Sequence, residues 1–79
     1  MSKRTWYWMT YDDALACWIV DWGDQMGYRL RDGDWFDLHV GYGQVLTCQA
    51  VLGQDWYVQI GTHRDCFYLK RNETYQVAI

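Results

Sequence analysis

The alternation of apolar and polar side chains is clearest in the second half of the chain. From Val45 to Leu52 the apolar set falls on Leu46, Cys48, Ala50 and Leu52, while Thr47 and Gln49 take alternate positions. That period of two is what a strand with one covered face produces. Gly53-Gln54-Asp55 reads as a turn, after which Trp56, Val58 and Ile60 share one face and Tyr57 and Gln59 the other. Gly61 to Asp65 turns the chain again. Cys66-Phe67-Tyr68-Leu69 predicts a short strand, Lys70 to Glu73 a turn, and Tyr75 to Ile79 a closing strand.

The first half is less regular. Thr5 to Tyr11 is rich in aromatic and β-branched residues and predicts a strand, stopped by Asp12-Asp13. Residues 13–22 support two readings. Leu15, Trp18, Ile19 and Trp22 have one-face helical spacing, with Asp12 as N-cap and Gly23 as stop. Alternatively Asp12-Asp13 is a hairpin turn and Cys17-Trp18-Ile19-Val20 a strand, the reading preferred here. Between Gly23 and Gly43, glycines alternate with aspartates; Tyr28-Arg29-Leu30 and Trp35-Phe36-Asp37-Leu38 are short strands joined by the tight-turn pair Asp32-Gly33. The pattern as a whole predicts a single mainly β domain over residues 1–79. Four to six short strands form a small barrel or strongly bent antiparallel sheet, and a short helix competes only near residues 13–22.

Composition sharpens this picture. A chain of 79 residues needs large side chains to build a core, and it has six Trp, seven Tyr and two Phe. That is more than one small interior accommodates, so some rings are expected on the surface, where aromatics mark contact sites. The net charge of −3 disfavours a nucleic-acid backbone as the main ligand. Seven Asp lie between Asp12 and Asp37 against only Arg29 and Arg31, an acidic stretch that favours a basic partner. Cys17, Cys48 and Cys66 are odd in number and widely spaced, which suits reduced thiols in a cytoplasmic protein better than a disulfide framework. No apolar run has the length of a membrane span.

Reactive chemistry is sparse. Ser2 is the only serine, no glycine-rich loop leads into a Lys and a Ser or Thr, and the cysteines sit in strand patterns, whereas a catalytic thiolate needs an electropositive, accessible site. His63-x-x-Cys66 has ligand spacing, with His39 and Cys48 as imaginable completions, yet only one close pair is present, and no metal or other cofactor is expected. Asp32-Gly33-Asp34-Trp35-Phe36-Asp37 starts like a calcium loop but places Phe36 and Gly43 where oxygen ligands are needed. An enzyme is therefore not expected.

Asp55-Trp56-Tyr57-Val58, Phe67-Tyr68-Leu69 and Asn72-Glu73-Thr74-Tyr75 resemble the central and closing strands of Src-homology-3-type barrels. The resemblance covers residues 45–79 and implies a barrel topology. Lys70 stands where that family has proline, and no Ala-Leu-Tyr-Asp-Tyr motif is present, so proline-rich peptide binding is not implied. Leu38-His39-Val40-Gly41, Trp56 and Phe67-Tyr68-Leu69 are also similar to short uncharacterised domains of Gram-positive bacteria and their mobile elements, with Val40 in place of a cysteine.

The expected activity is protein binding. Trp35, Tyr42, Tyr57 and Tyr68 are the candidate aromatic surface, and Asp32, Asp34 and Asp37 its acidic rim, selecting Arg or Lys on a basic partner. An accessory or inhibitor protein of a phage or mobile element fits this description. Two alternatives stay open: an anti-CRISPR-like inhibitor filling the basic nucleic-acid groove of a host defence nuclease, and stacking of a single nucleic-acid strand or sugar on the rings. Self-pairing into a homodimer would use the same rings.

Overall fold

The structure, a computed structural model, describes residues 5–23, 27–61 and 65–79. Eight strands form one antiparallel sheet: β1 (Tyr7–Asp12), β2 (Cys17–Asp21), β3 (Tyr28–Arg29), β4 (Trp35–Gly41), β5 (Gln44–Leu52), β6 (Trp56–Ile60), β7 (Cys66–Tyr68) and β8 (Tyr75–Ala78). Their spatial order is β3-β2-β1-β8-β4-β5-β6-β7, so the closing strand is inserted between β1 and β4.

The helix weighed for residues 13–22 does not form. Cys17–Asp21 pairs with β1 in the register Met9↔Val20 and Tyr11↔Trp18, and with β3 on its other side. An isolated helix of this length is marginal in water, whereas a strand flanked on both sides satisfies its backbone and buries Trp18 and Val20 against Met9. The turn is also longer than Asp12-Asp13. It runs through Ala16, which adopts a left-handed φ of 53°, and the Asp12 carboxylate accepts the Leu15 amide at 3.0 Å.

The expected strands on either side of Asp32-Gly33 both form. The turn is there, but it does not join paired strands: β3 pairs with β2, and β4 with β5 and β8. The segment crosses the sheet and is sewn to β5, the Gly33 amide donating to the Ala50 carbonyl at 2.7 Å and the Ala50 amide to the Asp34 carbonyl at 2.8 Å. The remaining alternation holds except at Leu52, expected inward but 50% exposed at the end of β5, where the strand runs out into the turn. Cys48, Ala50, Trp56 and Val58 point inward as predicted, joining Met9, Trp18, Phe36, Leu38, Leu69 and Val77 in one core.

The sheet is bent enough to bring strands together that are not neighbours in it. The Trp56 indole N–H donates to the Ala16 carbonyl at 3.0 Å, linking β6 to the β1–β2 turn. Arg71 lies 4.6 Å from the Tyr11 ring centroid and 2.6 Å from an Asp55 carboxylate oxygen, tying β1 to the turns before β6 and β8. The first of these links lies at the edge of the core and the second in solvent, both across the concave side of the sheet, and the opposite, convex face stays open.

Candidate functional site

The convex face follows from register. Pairing of Trp35 with Gln49, Gln49 with Gln59, and Gln59 with Cys66 sets one row of outward side chains. Val51, Tyr57 and Tyr68 set the next. Trp35 is 52% exposed and Tyr68 61%, and the Tyr57 and Tyr68 rings meet at 5.5 Å between centroids. Tyr57 stands two strands from Trp35, roughly 10 Å at ordinary strand spacing. Three of the four aromatics singled out in the sequence therefore share this face.

Tyr42 does not lie with them. It sits at the tip of the β4–β5 hairpin, beyond Gly41, whereas Trp35 opens β4 at the other end. It is fully exposed, and its φ of 52° is left-handed.

The three acids have other duties besides any rim. Asp32 accepts the Leu52 amide at 2.9 Å, and Asp34 accepts both the Tyr28 hydroxyl at 2.5 Å and the Arg31 amide at 2.9 Å. Both brace the crossing segment against its neighbours. The Asp34 contact holds the Tyr28 hydroxyl proton, so the Tyr28 pKa rises above its ordinary value, with burial adding to the effect. Asp37 projects onto the convex face beside Trp35 and accepts the Thr47 hydroxyl at 2.9 Å. Around this pair lies a groove of about 230 Å³, walled by Trp35, Ala78 and Ile79.

Sequence reasoning missed two contributors. Trp8, 54% exposed, lies on the same convex face, opposite Gln76. Trp6 packs edge-on against His39 at 5.5 Å. Alternation in Thr5–Tyr11 does separate Trp6 and Trp8 from Tyr7, Met9 and Tyr11. It does not say which set is covered when both carry large rings.

Among the described residues, the thiol and imidazole groups do not come together in a cluster that could hold a metal. Cys48 is fully buried on the concave side, while His39 pairs with Val45 on the convex side, so the two point to opposite faces. His63 lies outside the described residues. Burial, reinforced by the charge of Asp37, pushes the Cys48 thiol up to about 11, far from the thiolate a nucleophile requires. Burial likewise raises Cys17. Among the described residues no helix is long and apolar enough to cross a membrane.

No curated protein and no solved structure matches the chain. One family model does, over residues 8–79, and its description is a domain of unknown function, DUF5348. Since that match takes in every strand but the first residue of β1, the chain belongs to the DUF5348 family.

Proposed function

We propose that this protein is a non-enzymatic protein-binding module that uses the convex aromatic face of its sheet. The supporting observation is the half or greater exposure of Trp8, Trp35 and Tyr68 on one continuous strand surface. Rings left in water at that level contribute little to folding, while on a partner each is a rigid contact with few rotors to freeze. Burial raises the Cys17 and Cys48 thiols and keeps both neutral, which agrees with a binding role.

Asp32, Asp34 and Asp37 lie close together in the chain around Trp35, an acidic border that favours a basic partner. In this reading the protein is cytoplasmic, acts as an accessory or inhibitor protein of a phage or mobile element, and employs the small bent sheet much as Src-homology-3-like barrels do. The test is affinity capture with the wild-type protein and with a Trp35→Ala, Tyr57→Ala double variant. A partner retained by the wild type and lost by a variant with unchanged circular dichroism is the expected result. Equal retention by both rejects the role of this face. For a partner held by charge, affinity falls steeply between low and high salt.

A further inference from the structure

The tip of the β4–β5 hairpin carries a feature that folding does not account for. Gly41, Tyr42 and Gly43 all have left-handed φ values, 96°, 52° and 72°, and Tyr42-Gly43 closes a two-residue hairpin between Gly41 and Gln44. Such turns prefer Asn or Gly at the position Tyr42 occupies, because a side chain there crowds its own backbone. Tyrosine accepts this strain with its whole ring in solvent, so no contact within the chain offsets it. Backbone strain without an internal return points to a contact made outside the chain.

The groove on the same hairpin has the opposite shape. It is an open depression of about 230 Å³ lined by Trp35, Phe36, Ala78 and Ile79 together with Asp37 and Thr47, whose hydroxyl donates to the Asp37 carboxylate. That is below the ~300–1,000 Å³ of sites for drug-sized ligands, and it suits one inserted ring. A mostly apolar lining that includes a carboxylate and a hydroxyl matches a phenol, whose body is apolar and whose tip forms hydrogen bonds.

Resting on the protein-binding reading above, we infer that the first partner of this face is a second copy of the chain. Tyr42 of each copy seats in the Trp35 groove of the other, related by a two-fold axis. Knob and hole sit at opposite ends of β4, so laying two hairpins face to face and antiparallel brings each knob over the other copy's hole at once. This is the reciprocal contact that a closed dimer requires. From Leu38 to Leu52 the chain has no Asp, Glu, Lys or Arg, so Asp37 is the one charged side chain on the paired strands of each hairpin, and the antiparallel placement keeps the two Asp37 carboxylates at opposite ends of the contact.

The experiment is sedimentation equilibrium of the full chain over a range of concentrations. The wild type is expected to pass from monomer to dimer, with Tyr42→Asn and Trp35→Ala each weakening association at least tenfold. Leu15→Ala, an exposed apolar residue remote from both elements, leaves it unchanged. Tyr42→Asn places the residue this turn prefers, so its melting temperature at monomeric concentrations does not fall, which separates lost contact from lost fold. An equimolar mixture of Tyr42→Asn and Trp35→Ala chains, one with an intact groove and the other with an intact knob, associates more than either alone. A wild type that stays monomeric, or a Tyr42→Asn protein that dimerises as tightly as wild type, overturns the inference. A monomeric protein whose Trp35→Ala, Tyr57→Ala variant still loses its captured partner would overturn the dimer alone and leave the protein-binding reading standing.

Discussion

Cys48 shows how a single residue here is tuned by its place in the fold. Its thiol, ordinarily near 9, is raised to about 11 by burial first and by the Asp37 charge second. A raised pKa in the folded state favours the neutral form, so the associated stability is complete below the unfolded value. It is lost as pH rises toward and past 11, because the unfolded chain ionises first. The melting temperature is accordingly expected to drop between pH 9 and 11. Cys48→Ala should lower stability at neutral pH through the space it leaves, while making the alkaline drop shallower. An unchanged slope in the variant would mean that Cys48 is not the group responsible. Cys17 and Tyr28 are shifted in the same direction, so part of the slope remains.

At the scale of elements, the β2–β3 connection depends on one close approach. A Cβ on Gly27 would stand 2.7 Å from the Ile19 side chain and 3.1 Å from the Val20 carbonyl oxygen, at a φ of +68°. Gly27→Ala therefore combines a left-handed backbone penalty with a clash, and a loss of roughly 1–3 kcal/mol is expected in chemical denaturation. Gly33→Ala is the informative comparison. Its φ of +93° imposes backbone strain, but nothing lies within 4 Å of its Cβ, so its loss should be smaller. Equal losses would show that backbone conformation alone sets the cost. The β5–β6 hairpin and the strands at Trp56–Ile60 and Cys66–Tyr68 were legible beforehand, since each alternates cleanly and is bounded by turn residues. Residues 17–21 were legible only as the preferred of two readings, because a short apolar run satisfies helical and strand spacing alike until a neighbour supplies hydrogen bonds.

For the whole molecule, the position of β8 is decisive. It separates the β1–β2–β3 portion of the sheet from the rest, and its fully buried Val77 pairs with Tyr7 on one side and Leu38 on the other. The two portions also share one core and the Trp56–Ala16 link, so neither has an interior of its own. Unfolding should be a single transition, coincident by tryptophan fluorescence and far-ultraviolet circular dichroism. Val77→Ala should shift it by about 2 kcal/mol without splitting it. A separate early transition in the variant would show that the β1–β2–β3 portion melts independently.

The same reasoning explains the candidate site. Tyr57 and Tyr68 were readable as outward because alternation around Val58 and Phe67 places them on the polar side of their strands, whereas the place of Trp35 at the start of β4 came from the fold. Trp8 was not, because β1 carries large rings on both faces. The Asp32 and Asp34 carboxylates looked like free loop acids, and only the folded chain shows their donors on Leu52 and Tyr28. Local alternation and turn chemistry, by themselves, determined the strand-rich character of this protein, the inward set of its later strands and its surplus of rings. Those are properties of near neighbours along the chain. The insertion of β8 between β1 and β4, the strand at Cys17–Asp21 and the single face shared by Trp8, Trp35 and Tyr68 were decided by tertiary structure. Each depends on which distant backbone supplies the hydrogen bonds, a choice on which sequence spacing is silent.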